Sequence, residues 1–403
     1  MNRSLFLHVV ERLEGLVGRL PATIQRPILS ELTPLKELFL KQRPPRFVFA
    51  GSWNTPLPKL MTAMFPEFLP SDLSSGLHRR DEWREYSHPS RGTISILDAR
   101  SATSWDSIRH QLTAAPADII CFVEDEDRKK IRKEPLENLL RLMAENRGAG
   151  GEAGIVGLVY EADSPTGADA SQKNQDLTTR GARLHTMLET RVKDGSHVLR
   201  TVAICQSGLQ SEPPDALVSA IVKQLPNEAR IEAARVFRHS PTQNEIAQLL
   251  VKSTSAICTA IGAQPIPLAD LPILTTLQLV MVSGIMYVSG RERSLRAATE
   301  FVAALGANVG AGMLLREGAR AILKLVPGWG NVVCGMVAGA GTYAIGRAAI
   351  AYFLEGLSLN EARRAYLTSR RSANSQRPAL TEVEENSSET TSPKRGKRLR
   401  LRD

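Results

Sequence analysis

Hydrophobic spacing divides the chain into contrasting stretches. Over residues 2–40, Phe6, Val9, Val10, Leu13, Leu16, Val17 and Leu20 recur on one helical face. That spacing predicts an amphipathic helix, broken or kinked at Pro21 or Pro27. From Arg46 the period changes. Arg46–Ala50, Thr93–Leu97, Ile119–Val123, Gly154–Tyr160 and Leu199–Cys205 are short apolar runs and predict buried strands. Between and after them, Lys59–Phe65, Trp105–Ala114, Pro135–Asn146, Leu177–Val192 and Asp215–Leu225 predict helices, with Gly148–Gly151 as a flexible turn and 163–176 as a polar loop. Strands separated by helices of this length predict a doubly wound α/β domain with a mainly parallel sheet. Residues 70–90 are polar and irregular. Within them Trp83–Tyr86 reads either as a partner contact or as a strand pairing with 93–97. Ala229–Arg238 is a helical connector, and from Thr242 nearly everything favours helix.

The second half carries the chain's most unusual pattern. Residues 253–269, 271–290, 301–315 and 325–346 contain no charged side chain, and Asp270 alone divides the first two runs. A membrane span takes about 20 apolar residues, which 271–290 and 325–346 approach. If 271–290 crossed alone, Arg291, Arg293, Arg296, Arg316, Arg320 and Lys324 would lie outside, against the positive-inside rule. A hairpin turning at Pro265, Pro267, Asp270 and Pro272 returns those arginines to the cytoplasmic side. The runs 301–315 and 325–346 would form a second, shallower hairpin. Gly306–Gly310 and Gly335–Gly339 are small-residue spacings that let helices approach closely and open a route to self-association. Against insertion stand the polar interruptions Gln264, Thr275, Thr276, Gln278, Asn308 and Asn331 and a mean hydropathy of −0.16. They are what a soluble bundle rich in Ala and Gly would show.

Charge adds little about the folded part. Of the formal +9, the segment Ser392–Asp403 contributes +5. After Arg371 the composition turns to Ser, Thr, Glu, Asn and Pro and then to this basic run, so 372–403 reads as a disordered tail. The tail suits anionic lipid or a nucleic-acid backbone, but no recognition fold accompanies it, so specific nucleic-acid binding is not expected. The four cysteines are far apart and form no metal-ligand pattern, which fits a reducing compartment. The seven histidines show no His-Glu-x-x-His spacing, and no Gly-x-Ser-x-Gly elbow occurs. The acidic run Glu124–Asp127 is followed by Arg128–Lys130 and reads as a solvated charged turn rather than a cation site.

The strand ends nominate the site, because ligands of such sheets sit at the carboxyl ends of the strands. After the first strand comes Gly51-Ser-Trp-Asn-Thr-Pro56-Leu57-Pro58. A working phosphate loop, Gly-x-x-x-x-Gly-Lys-Ser/Thr, cradles phosphate with backbone amides, neutralises it with its Lys and holds Mg²⁺ through its hydroxyl. Here the first Gly is present, while Pro56, Leu57 and Pro58 stand at the second Gly, the Lys and the hydroxyl. Lys59 comes two residues late. Asp98-Ala-Arg-Ser101 keeps the Asp of Asp-x-x-Gly without its Gly, and Tyr160-Glu-Ala-Asp163 keeps only the Asp of Asn-Lys-x-Asp. Gly51, Lys59, Asp98 and Asp163 are therefore the residual nucleotide-site candidates, or else Asp98 and Asp163 merely cap strand ends.

With these motifs the order of elements in 46–225 resembles a small GTPase domain of the Era/dynamin-like kind, in degenerate form. Residues 245–370 resemble a family of bacterial helical domains of unknown function that often follow GTPase domains. The match lies in Ala260–Gln278, Leu325–Gly330 and Gly346-Arg347. The resemblance implies an N-terminal helical segment (1–43), a degenerate GTPase-like domain (44–228), a helical domain (229–371) and the tail. It implies a pseudo-GTPase acting through protein or membrane contacts at the cytoplasmic face of a bacterial inner membrane, with no cofactor. The alternatives are a soluble cytoplasmic adaptor, or a GTP·Mg switch with a rebuilt loop.

Overall fold

The structure is a computed structural model that describes residues 22–39, 41–65, 67–68, 81–100, 104–124, 133–161, 170–192, 198–205, 208–209, 214–263, 271–306 and 329–375. Its centre is a seven-stranded sheet in the order β2-β3-β1-β4-β5-β6-β7. The strands are β1 (Arg46–Gly51), β2 (Arg84–His88), β3 (Gly92–Asp98), β4 (Ile119–Val123), β5 (Gly154–Glu161), β6 (Val198–Cys205) and β7 (Gly208–Leu209). β1, β3, β4, β5 and β6 are mutually parallel, and β2 and β7 run antiparallel at the two edges. Trp83–Tyr86 thus leads into an edge strand in which Tyr86 pairs with Ile94, and strand order is imposed on part of the stretch expected to be irregular.

Period-2 alternation sorts the core into two layers. Phe47 and Phe49 of β1 point to one face, where α2 (Leu57–Met64), α6 (Pro214–Gln224) and α7 (Asn227–Val236) cover them. Val48 and Ala50 point to the other, under α3 (Trp105–Ala114), α4 (Lys133–Gly148) and α5 (Ala170–Arg191). Strands covered on both faces must be apolar at successive positions, and β4 is buried at every residue. Cys121 lies in that strand, and burial pushes its thiol far above the ordinary range. α5 begins well before Leu177, and Gln175 and Asp176 just ahead of that residue are exposed. No apolar periodicity marks such turns.

The helical part holds α1 (Ala22–Phe39), α8 (Ser240–Gly262), α9 (Leu271–Val288), α10 (Leu295–Gly306), α11 (Trp329–Phe353) and α12 (Leu359–Ser375). Pro27 lies inside α1, and α12 carries helix past Arg371 to Ser375. α8 and α9 pack as an antiparallel pair: Gln243 Nε2 near the start of α8 donates to the carbonyl of Val288 at the end of α9 (2.9 Å). The hairpin expected of these runs would turn between the two helices. Of its tip, Pro272 lies in the first turn of α9, while Pro265, Pro267 and Asp270 lie outside the described residues.

Among the described residues no helix is long and apolar enough to cross a membrane. Within the charge-free runs, Met281, Val282, Ile285 and Val288 of α9 and Ala344, Ala348 and Ile350 of α11 share one core with Leu32 and Leu35 of α1. One of the polar interruptions is satisfied there: Gln278 Nε2 donates to Thr342 Oγ1 at 3.0 Å. The glycine stripe of α11 faces α8 within the same chain. A Cβ on Gly335 would stand 2.7 Å from the carbonyl oxygen of Thr259, and one on Gly346 would stand 2.5 Å from Val251 Cγ2.

α7 joins the two parts. Ala229, Ala233 and Val236 pack into the sheet layer, while Ile231 and Ala234 pack into the helical core.

Since the obstacle at Gly335 is backbone, Gly335→Val has no side chain to displace and forces α8 and α11 apart. It should cost about 1–3 kcal/mol, the usual range for overpacking. Urea denaturation should read this as a lowered midpoint, with an unchanged midpoint contradicting the close approach.

Candidate functional site

Parallel pairing brings Gly51, Asp98, Glu124 and Glu161 to one edge of the sheet, at the carboxyl ends of β1, β3, β4 and β5. β1 sits where the winding reverses, with β3 on one side and β4 on the other. That crevice is where such folds hold ligands.

Gly51 is required for local reasons. Its φ is +98°, and a Cβ there would lie 2.3 Å from the carbonyl oxygen of Val123 on β4. The chain then turns inward. Ser52 is buried and its amide donates to Val123 O (2.8 Å), while the Asn54 amide lies 3.3 Å from Ser52 Oγ. Pro56 precedes α2 and offers no amide, and Pro58 in the first turn offers none either. The amides of Lys59 and Leu60 donate back to Pro56 O at 3.0 and 3.4 Å. Several donors that a phosphate cradle would aim at a ligand are therefore spent on the protein's own oxygens. The Lys59 side chain is exposed on α2, and among the described residues no contact joins it to Asp98. Trp53 is 64% exposed at the tip of the loop.

Asp98 has acquired a partner. Arg100 Nε and Nη2 donate to its two carboxylate oxygens at 2.7 and 2.8 Å, and Arg100 Nη1 donates to the carbonyl of Thr55 in the loop. The guanidinium is 4% exposed and the carboxylate 16%. This bidentate pair neutralises the carboxylate and ties the loop to the end of β3. A cation fixed on a carboxylate and a carbonyl is a structural clamp, in the place where a switch would need a free ligand for a metal-bound water.

A second lock lies across β4 and β5. Glu124, expected in a solvated turn, is buried. Its oxygens meet Arg180 Nε at 3.4 Å and Arg183 Nη2 at 3.2 Å, and Arg180 Nη1 also reaches Glu161 at 3.2 Å. The burial follows from β4, whose last pairing delivers Glu124 N to Leu158 O. A carboxylate forced inside needs cations, and α5 supplies them. Asp163 lies outside the described residues, as do Asp127 and Arg128–Lys130. Sequence reasoning brought Gly51 and Asp98 to this edge but missed Arg100, Arg180 and Arg183. An arginine two residues after a strand-ending Asp was the available signal for Arg100, whereas nothing local marks the other two.

No family model matches the chain. Magnetosome membrane protein 22 of Magnetospirillum gryphiswaldense is 30% identical over 118 residues, which cover 28% of this chain and 59% of that protein. The chain thus matches less than two thirds of that relative's length. Among solved structures, the LeoA bacterial dynamin GTPase from ETEC aligns over 90% of this chain and 88% of its own at 11% identity, with a TM-score of 0.33. A TM-score this low does not establish a common fold.

Removing one partner of the clamp leaves the other buried and unpaired. Asp98→Ala should therefore destabilise the chain by about 3–5 kcal/mol, whereas the double variant Asp98→Leu with Arg100→Met should cost much less. Chemical denaturation of both variants tests this. Equal losses would show that the pair is not the clamp described.

Proposed function

We propose that this chain is a non-catalytic, GTPase-like scaffold that acts through protein or membrane contacts. The observation that carries the reading is the Asp98–Arg100–Thr55 clamp. It stands where nucleotide chemistry would need an unengaged carboxylate and free amides. Pro56, Leu57 and Pro58, in place of Gly, Lys and a hydroxyl, support the same conclusion. The rebuilt switch, using Lys59, Asp98 and Asp163, is the competing reading, and the clamp speaks against it because Asp98 would first have to release Arg100.

Membrane contact is the second half of the proposal, at the cytoplasmic face of a bacterial inner membrane. The charge-free runs, the basic tail and the membrane assignment in the matched relative's name support it. The packed helices favour attachment to the surface over a crossing. The tail would add about 1 kcal/mol per basic residue near an anionic surface.

Calorimetric titration of the full chain with GTP and with ATP in Mg²⁺ should give no saturable heat at high micromolar protein. Saturable heat that Lys59→Ala abolishes would restore the switch reading. Flotation should carry the chain up with anionic vesicles, less so at high salt or after deletion of 393–403. Full recovery in the unbound fraction under every condition would remove the membrane half and leave a soluble adaptor.

A further inference from the structure

Exposed apolar surface is concentrated in the helical part. Eight large apolar side chains are exposed among the described residues, and all but Trp53 and Leu140 belong to that part. Three of them, Leu249 on α8 and Met336 and Tyr343 on α11, lie on neighbouring helices. Between 246 and 262, α8 carries one charged side chain, Lys252. From Trp329 to Phe353, α11 also carries one, Arg347. Both are cations. None of these residues belongs to the strand-end site.

Their placement follows from the glycine contacts. Gly335 and Gly339 approach Thr259, Gly339 also approaches Ser255, and Gly346 approaches Val251, so α8 and α11 run antiparallel. The contact of Val251 with Gly346 brings the next residue on each helix, Lys252 and Arg347, to one level. On α11, Met336 and Arg347 each follow a contact glycine by one position, and Tyr343 lies between them at helical spacing. On α8, Lys252 follows Val251 by one position and Ala256 follows Ser255 by one, with Leu249 a turn before Lys252. One position is a rotation of about 100°. Equal rotations on antiparallel neighbours point to the same side, so the two stripes share one open face. Lys252 is exposed and Arg347 half-buried, and neither is in an ion pair among the described residues. Glu245, the last acid of α8, is engaged by Arg230 at 3.1 Å. Like charges at one level repel, and neither stripe holds an acid to answer them.

We infer that this face docks on an anionic phospholipid surface, with α8 and α11 lying along it. The inference rests on the membrane half of the proposed function and names the surface that performs it. Lys252 and Arg347 meet the phosphate headgroups, while Leu249, Met336 and Tyr343 enter the layer beneath, as on an interfacial amphipathic helix. Of the side chains on the two stripes, only Tyr343 and the two cations are polar. A protein partner is held by directional polar pairs as well as apolar contact, whereas an anionic bilayer asks only for cations and apolar depth. Docking of this kind needs no helix long enough to cross.

Flotation of the full chain with phosphatidylglycerol vesicles, against phosphatidylcholine, measures the docking. Lys252→Gln combined with Arg347→Gln should weaken partitioning roughly thirtyfold, the loss expected for two basic residues near an anionic surface. Far-UV circular dichroism should stay unchanged. In Tyr343→Trp, brominated phosphatidylglycerol should quench an emission component that the four native tryptophans lack. That variant keeps both cations and tests the face even if the double variant does not fold. Binding to no vesicle at all overturns both this inference and the membrane reading beneath it. Binding that persists in the double variant and is lost on deletion of 393–403 keeps membrane contact and overturns the face. Quenching in Tyr343→Trp no greater than in wild type overturns it likewise. A dimer that the double variant converts to monomer, with flotation unchanged, assigns the face to a second copy and overturns the lipid.

Discussion

The buried carboxylate of Glu232 is the constraint on which the two-part architecture turns. α7 is packed by the sheet on one side and by the helical core on the other, so a charge at its centre is largely shielded from water. A buried carboxylate persists only with donors around it. Glu232 draws them from β3 (the Thr93 amide), from the segment after α1 (Gln42) and from α9 (Tyr287). Gly92 belongs to the same arrangement, because a Cβ there would lie 2.1 Å from Glu232 Oε2. One side chain thereby positions the β2–β3 turn against the helical part and fixes the angle between them. The apolar surfaces of α7 would bury equally well in several orientations, whereas hydrogen bonds to a single carboxylate are directional.

The same physics operates at the strand ends with the opposite consequence for chemistry. Asp98 and Glu124 emerge where a ligand site is expected, and each is closed by arginine from nearby in space. A carboxylate in such a bidentate pair is held in place and its charge is cancelled. The loop after β1 follows suit by turning its amides onto Val123, Ser52 and Pro56. Preorganisation for a phosphate and self-satisfaction of the loop compete for the same donors.

The apolar runs of the second half show how one pattern serves two solvents. A charge-free helix can face lipid or the interior of a bundle, and spacing alone does not distinguish them. α8, α9 and α11 solve the problem by facing one another. Glycines at 335, 339 and 346 bring α11 close to α8, and paired polar groups such as Gln278 and Thr342 satisfy what hydrocarbon would not.

The sequence by itself determined the succession of strands and helices, because the two periods of apolar residues are local properties of the chain. It also determined that positions 56 and 58 offer no backbone donor, since proline has no amide wherever it is placed. What only the tertiary structure decided was which charges meet. Glu232 and Thr93 are separated by 139 positions, and Arg293 and Gln42 by 251. Nothing in local spacing records such encounters, so the burial of Glu124 and the meeting of arginines at the seam become visible only when the packed layers bring distant residues together, whereas Arg100 stands two residues from the Asp98 that it clamps.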